Sequence, residues 1–164
     1  MVIFGIDPGL NKTGVGILEV ENRSLKYLHH FVIKTDPKVG LVHRLKEISA
    51  SLIDFINRFK PSYAAIEDIF YSVNIKSAML LGQTRGAIIA TLVNSGIDVY
   101  EYTALQIKKS VVGYGKADKE QVKKMVEILL KVELKNTLND ASDALACAIC
   151  LGLNLTNFNF NALR

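Results

Sequence analysis

The stretch VIFGIDPG, residues 2–9, is an apolar run that ends in an acid, Asp7, followed at once by Pro and Gly. A short apolar run closed by Pro-Gly is typical of a buried strand and a turn. Asp7 is therefore predicted at the carboxyl end of the first strand. A purely structural role for Asp7 would be to accept hydrogen bonds from backbone N–H groups in the turn. A role in a functional site would require other acids to reach the same place.

Outward from this strand, the apolar periodicity predicts an α/β fold: a central mixed five-stranded sheet flanked by helices. Four further strands are predicted at 13–20, 25–33, 63–68 and 97–102. Helices are predicted at 41–59, 76–94, 104–112, 119–131 and 140–152. We expect a single domain over 1–153 and a flexible C-terminal tail over 154–164.

Composition agrees with one globular domain, since 49% of the 164 residues are hydrophobic and 22% are charged. The net charge is +4, and the segment 105–135 accounts for it with eight lysines against four acids. Such a segment suits a polyanionic partner, although many charge runs are only solvated helix faces. Cys147 and Cys150 lie in an Ala-rich run and are expected to be small buried side chains. With neither a signal peptide nor a membrane span in the sequence, we expect a cytoplasmic protein.

Three further acids are predicted to converge on Asp7. Glu67 ends the strand at 63–68, and the ends of neighbouring parallel strands lie about 4.8 Å apart. Asp140 and Asp143 are three residues apart on a helix that is apolar nearly all round, so they project from one face of a buried element. The alternative is a helix cap, because Thr137 and Asp140 resemble a capping box. Clustered carboxylates favour hard cations such as Mg²⁺ or Mn²⁺, and two ions could clamp a phosphodiester during hydrolysis.

Five motifs, in order and spread over nearly the whole chain, resemble the RuvC family of Holliday junction resolvases. They are FGIDPGLNKTGVGILE, AAIEDIFYSVN, AMLLGQTRG, VVGYGKADKEQV and NDASDALACAI. The resemblance implies an RNase H-like fold, a homodimer, and Mg²⁺-dependent nicking of two symmetric strands of four-way junction DNA, with two ions per site and Mn²⁺ able to substitute. It also implies work beside a branch-migration helicase in recombination and repair. Carried over by motif, the catalytic and metal-binding residues are Asp7, Glu67, Asp140 and Asp143. Some relatives place His where Asp143 stands, and Asp68 stands where an uncharged amide is expected.

The same resemblance implies a set of DNA contacts: Phe70, Tyr71, Lys108, Lys116 and Lys119. An aromatic side chain after Glu67 could stack on bases opened at the junction centre, whereas the alternative is that Phe70 and Tyr71 anchor the core. Lys119 is predicted at the start of a helix, where a phosphate can bind.

The helix predicted at 76–94 has more apolar positions than one core-facing stripe requires, among them Met79, Leu80, Ile88, Ile89 and Leu92. It is the best candidate in the sequence for a dimer surface, and the alternative is that it is simply buried in the monomer.

Three other functions are open to this sequence. The turn after Asp7 also resembles the phosphate loop of actin-like ATPases and sugar kinases, but those proteins duplicate the unit and leave Asp140 and Asp143 unexplained. A nuclease of the same fold acting on RNA·DNA hybrids would use the same acids. A basic scaffold that only binds junctions would not need them.

Overall fold

A five-stranded sheet forms the centre of the protein in the computed structural model, which describes residues 1–68, 74–134 and 139–161, with side chains as far as Thr156. Its strands are β1 (Val2–Asp7), β2 (Lys12–Glu21), β3 (Ser24–Lys34), β4 (Tyr63–Glu67) and β5 (Asp98–Tyr102). They lie side by side in the order β3-β2-β1-β4-β5. β1 pairs antiparallel with β2 and parallel with β4, and β4 pairs parallel with β5. The prediction of a mixed five-stranded sheet is confirmed.

The helices follow the predicted order. They are α1 (Leu41–Phe59), α2 (Ile75–Asn94), α3 (Ala104–Val112), α4 (Lys119–Leu130) and α5 (Asn139–Asn161). Local sequence explains two of the starts, because Thr103 with Gln106 and Asp118 with Gln121 form capping boxes at α3 and α4. In α5 the backbone continues nine residues beyond the predicted end at 152, since the apolar pattern fades before the helix does. The flexibility expected of 154–164 stays a prediction.

Two hydrophobic cores lie on opposite faces of the sheet because the strand residues alternate between faces. Phe4 and Ile6 of β1 pack in the core that includes α1 and α2. Ile3 packs in the other core, with α3, α4 and α5. Asp7 follows the alternation of Ile3 and Gly5, so β1 presents its terminal carboxylate on the α5 face of the sheet.

Glycines let α5 lie directly on β1 and β2. A Cβ on Gly14 would lie 2.0 Å from the carbonyl oxygen of Asp140, and one on Gly5 would lie 2.2 Å from the carbonyl oxygen of Ala144. Real Cβ atoms are not found so close to backbone oxygens, so any side chain at Gly14 or Gly5 would push the helix away. This close approach fixes the first turn of α5 beside the end of β1.

The face of α2 that meets the core includes residues that the sequence offered as candidates for a dimer surface. Ile88 and Leu92, taken from the sequence as candidates for a dimer surface, are fully buried in the core of this chain. Met79 is 62% exposed, and Ile75, one turn earlier, is 77% exposed. A helix that is apolar on most sides gives no sequence signal of which side the sheet will cover.

Both cysteines are buried, as expected, and they form no disulfide with each other. Within the described ranges, no helix has both the length and the apolar character required to cross a bilayer.

Candidate active site

Two carboxylates stand side by side at the ends of the central strands. Ile6 of β1 pairs with Ile66 of β4, so Asp7 and Glu67 are the next residues along two adjacent parallel strands. On β4, Ala64 and Ile66 face the α1 side while Ala65 faces the α5 side. Glu67 therefore points toward α5, as Asp7 does.

The first turn of α5 brings two more acids to this place. Asp143 lies one turn after the start of the helix and lines a cleft of about 350 Å³ together with Asp7 and Glu67. Asp140 is not among the residues that line the cleft, but its charge contributes to raising the pKa of Asp7. All four predicted acids thus act on one region.

Burial and mutual repulsion change the acidity of the strand-end carboxylates. The pKa of Asp7 is raised from 3.8 to about 7, first by burial and then by the charges of Glu67, Asp143 and Asp140. The pKa of Glu67 is also raised, by burial and by Asp143. Burial and the neighbouring acids both disfavour the charged forms of Asp7 and Glu67, and a bound cation would favour those charged forms.

One lysine already supplies part of that charge. Lys119, the first residue of α4, places its Nζ 3.4 Å from Oδ2 of Asp143. The pKa of Lys119 is raised, chiefly by Asp143. The positive charge of the lysine in turn offsets part of the rise in the pKa of Asp7 and of Glu67. Lys119 therefore acts as a tethered cation within the acidic cleft.

The donor chemistry of this cleft fits a hard divalent cation, because the donors are carboxylate oxygens and their field favours positive charge. Among the residues that the structure describes, no three acidic, His or Cys side chains converge closely enough to hold an ion as they stand. Side-chain rotation of Asp7, Glu67 or the α5 acids would be needed to close a complete ligand set.

Comparison with known proteins places this chain in a family. The model of the crossover junction endodeoxyribonuclease RuvC family matches residues 3–151. The chain is 51% identical over 151 residues to the RuvC crossover junction endodeoxyribonuclease of Herminiimonas arsenicoxydans, covering 92% of this chain and 82% of that one. For the Caldanaerobacter subterraneus enzyme of the same name the identity is 43%, covering 92% and 91%. The chain belongs to the RuvC family.

Its fold is also that of a solved RuvC. The structure of Thermus thermophilus RuvC in complex with a Holliday junction substrate superposes with a TM-score of 0.90 at 31% identity, covering 96% of each chain. The RNase H-like fold expected from the motifs is confirmed. The actin-like ATPase alternative is excluded by the family match over nearly the whole chain.

The DNA contacts implied by the RuvC resemblance have different positions. Lys108, on α3, and Lys119 line the acidic cleft. Lys116 is exposed in the connection between α3 and α4 and is not among the cleft-lining residues. Phe70 and Tyr71 lie outside the described residues, so their roles stay predictions.

A buried arginine, which the sequence did not single out, forms hydrogen bonds that hold the loop after Asp7. Arg44 of α1 donates from Nε to Oγ1 of Thr35 at 2.8 Å and from Nη2 to Oδ1 of Asn11. The Thr35 hydroxyl in turn donates to the carbonyl of Leu10 at 2.5 Å. In this RuvC-family chain the turn that follows Asp7 is thus held to α1 by hydrogen bonds. An arginine on the inward face of a helix was the signal that could have revealed it.

A second arginine, Arg85 of α2, contacts the strand end that carries Glu67. Its Nε donates to the main-chain oxygen of Glu67 at 3.2 Å, and Nη2 lies 3.4 Å from Oδ1 of Asp68. Nη2 also pairs with Oε2 of Glu101 on β5. The sequence indicated only packing roles for the helix at 76–94, although an arginine among its many apolar residues is a signal of a specific partner.

Proposed function

We propose that the chain is a structure-specific endodeoxyribonuclease that resolves four-way DNA junctions by paired symmetric nicks, in recombination and repair. The observation that carries the proposal is the convergence of the strand-end acids and the α5 acids on one cleft in a chain of the RuvC family. A scaffold that only bound junctions would gain nothing from buried, mutually repelling carboxylates, which weaken both folding and phosphate binding.

In the proposed site, the acids Asp7, Glu67, Asp140 and Asp143 hold two Mg²⁺ ions, or Mn²⁺ in their place. When bound, such ions lower the pKa of water and neutralise the developing charge on phosphate oxygens. Asp7 and Glu67 orient the site because they lie on rigid strand ends. Asp140 and Asp143 close it from α5, whose position is fixed by the glycines of the sheet.

We assign a separate role to the basic residues. Lys119 offsets part of the negative charge of the cleft through its ion pair with Asp143 and turns to a DNA phosphate when a cation replaces it. Lys108 lines the same cleft and is placed to meet the strand being cut. Lys116, outside the cleft, would contact the backbone of a junction arm.

Complete resolution needs two sites related by a two-fold axis, which a homodimer supplies. The exposed face of α2 is the proposed contact. Along it lie Ile75 and Met79, then Gly86, where an added Cβ would meet nothing within 4 Å, and finally Val93, which is 55% exposed. Apolar and small residues in one exposed stripe suit close packing against a second copy of the same helix.

The dimer surface is tested by Met79→Asp, with Val42→Asp as a matched control on α1, because Val42 is also highly exposed at 77%. Sedimentation at tens of micromolar should show a dimer for the wild type and for the control, and a folded monomer with poor paired nicking for Met79→Asp. A wild-type monomer that makes paired nicks would contradict the assignment.

The activity itself is tested by incubating the protein and Mg²⁺ with a synthetic four-way junction and mapping the nicks. Linear duplex and RNA·DNA hybrid of the same sequence serve as control substrates. We expect symmetric nicks in the junction alone, and none with Asp7→Asn or Glu67→Gln, both of which should still bind the junction. Cleavage of the hybrid in preference to the junction would overturn the proposed substrate.

A branch-migration helicase is the further partner that the family resemblance implies. Stimulation of junction cleavage by such a motor, measured against the motor without ATP, would test whether the two act together.

A further inference from the structure

We propose that Arg85 is a positioning residue for cleavage, which fixes the main chain of Glu67 and offsets part of the charge of Asp68, the additional acid at the rim of the cleft. The inference rests on the proposed role of Glu67 as a catalytic acid. Arg85 is not itself a cleft-lining residue, so it would act through Glu67 and Asp68 rather than by contact with the DNA.

The segment that follows β4 is held from two sides. On one side, the N–H of Asp68 donates to the main-chain oxygen of Tyr102 on β5 at 2.8 Å. On the other, Nε of Arg85 donates to the main-chain oxygen of Glu67 at 3.2 Å. The backbone that directs the Glu67 side chain toward α5 is therefore clamped between a strand and a helix at the point where the strand ends.

Arg85 also has an electrostatic role, because it lies beside the charged side chain of Asp68. Its side chain lines the same cleft as Glu67, and a free carboxylate there would repel the DNA phosphate and compete for a cation. Nη2 of Arg85 lies 3.4 Å from that carboxylate and also pairs with Glu101. Since an arginine cannot lose its proton in a protein, the compensation holds at any working pH.

The clamp is expected to matter more for chemistry than for folding. The Asp68 and Glu101 side chains are 48% and 57% exposed, and ion pairs with exposed partners contribute little to stability. The Arg85 side chain is only 14% exposed, so its guanidinium keeps a fixed direction and can hold the Glu67 carbonyl precisely. A small displacement of a catalytic group can slow a reaction by about a hundredfold.

The test is a double-mutant cycle of Arg85→Gln and Asp68→Asn, measured as single-turnover junction cleavage at saturating protein, with junction affinity and urea unfolding measured in parallel. We expect Arg85→Gln to slow cleavage by about tenfold to a hundredfold with affinity changed by less than about twofold. The slowing should be several-fold smaller in the Asp68→Asn background, because the charge that Arg85 neutralises is gone. Arg85→Lys should recover only part of the rate, since Lys keeps the charge but lacks the planar fork that reaches the carbonyl and the carboxylate together.

Arg58→Gln is the control, an exposed arginine on α1 whose guanidinium lies over the Phe59 ring. It should cleave as the wild type does.

Glu67→Gln separates this inference from the function on which it rests: if that variant still cleaves, the assignment of the site is wrong. If Glu67→Gln is inactive and Arg85→Gln cleaves at the wild-type rate, only the positioning role is wrong. The positioning role would also be overturned if Arg85→Gln slowed cleavage only as far as its loss of folding stability explains, and if Asp68→Asn left that slowing unchanged. Arg85 would then be purely structural. If Arg85→Gln fails to fold, Arg85→Lys tests the geometric part of the role, because it keeps the charge but not the planar fork; cleavage by Arg85→Lys at the full wild-type rate would then refute the positioning role.

Discussion

Replacing Asp7 by Asn should make the metal-free protein more stable, and increasingly so as the pH rises. The reason is the raised pKa of Asp7, about 7 in the folded chain against 3.8 for an ordinary aspartate. A carboxyl group with a raised pKa favours the folded state while it is protonated. Its stability is lost as the pH rises from the unfolded pKa to the folded one. Asn has nearly the same shape and never takes the charge.

The magnitude follows from the size of the pKa shift. A shift of about three units, at about 1.36 kcal/mol each, gives about 4 kcal/mol of destabilisation at pH 8, where Asp7 is ionised in both states. At pH 5 the folded chain still holds the proton, and the same linkage gives about 2 kcal/mol. The stabilisation by Asp7→Asn should therefore be larger at pH 8 by about 2 to 3 kcal/mol.

Urea unfolding of the wild type and of Asp7→Asn, at pH 5 and pH 8 with a chelator present, measures this difference directly. Asp54→Asn, at an exposed position on α1, is the matched control and should show equal changes at both values of pH. Millimolar Mg²⁺ at pH 8 should stabilise the wild type more than Asp7→Asn, because the cation replaces the missing proton. A stabilisation that is the same at pH 5 and pH 8, or an Asn variant that is less stable at pH 8, would refute the account of a buried, repelled carboxylate.

Three further outcomes are expected. Gly14→Ala should destabilise the fold by about 1–3 kcal/mol or more and abolish cleavage, because the added methyl group displaces the backbone of Asp140; a melting curve and the junction assay check both. Lys119→Ala should weaken binding to junctions of every sequence and lower the salt slope by about one; an unchanged slope would confine Lys119 to its ion pair with Asp143. Phe70→Ala should leave junction affinity within about tenfold, as for the loss of one stacked base, but resolve junctions poorly; a melting temperature lowered by many degrees would mark Phe70 as a core residue instead.

Periodicity was sufficient to predict where the central acids lie. The apolar run before Asp7 and the one before Glu67 each end in the acid, and parallel neighbours end at the same edge of a sheet. The face of the sheet on which Asp7 lies also follows from the alternation along β1, because Asp7 lies on the same side as Ile3. This is the α5 side of the sheet, where Gly5 and Gly14 leave room for the helix backbone. The pairing of these acids therefore needs only local patterns and one topological assumption.

Other parts of the site depend on contacts between distant segments, which no local pattern records. The ion pair of Lys119 with Asp143 joins α4 to α5, and the contacts of Arg85 join α2 to β4 and β5. The orientation of α2 was left open by the sequence for the same reason: Ile88 and Met79 are both apolar, and only the packed sheet decides that Ile88 is buried while Met79 is exposed.

The glycines of the sheet help to keep the mutually repelling acids of the site close together. Four acids that repel one another would separate if the elements carrying them could move apart. The backbone of α5 lies so close to Gly5 and Gly14 that it has large areas of apolar contact to lose by moving, and this contact opposes the repulsion. Asp143 is thereby held near Asp7 at a cost in stability that a bound cation would remove. A ligand that binds only the folded state stabilises it by an amount that grows with the logarithm of its concentration above the dissociation constant, so cation binding by these acids would be linked to folding. A variant that relaxes the helix, such as Gly14→Ala, should then lose both the raised pKa of Asp7 and the stabilisation by Mg²⁺. Asp7→Asn loses the same two properties while its fold becomes more stable.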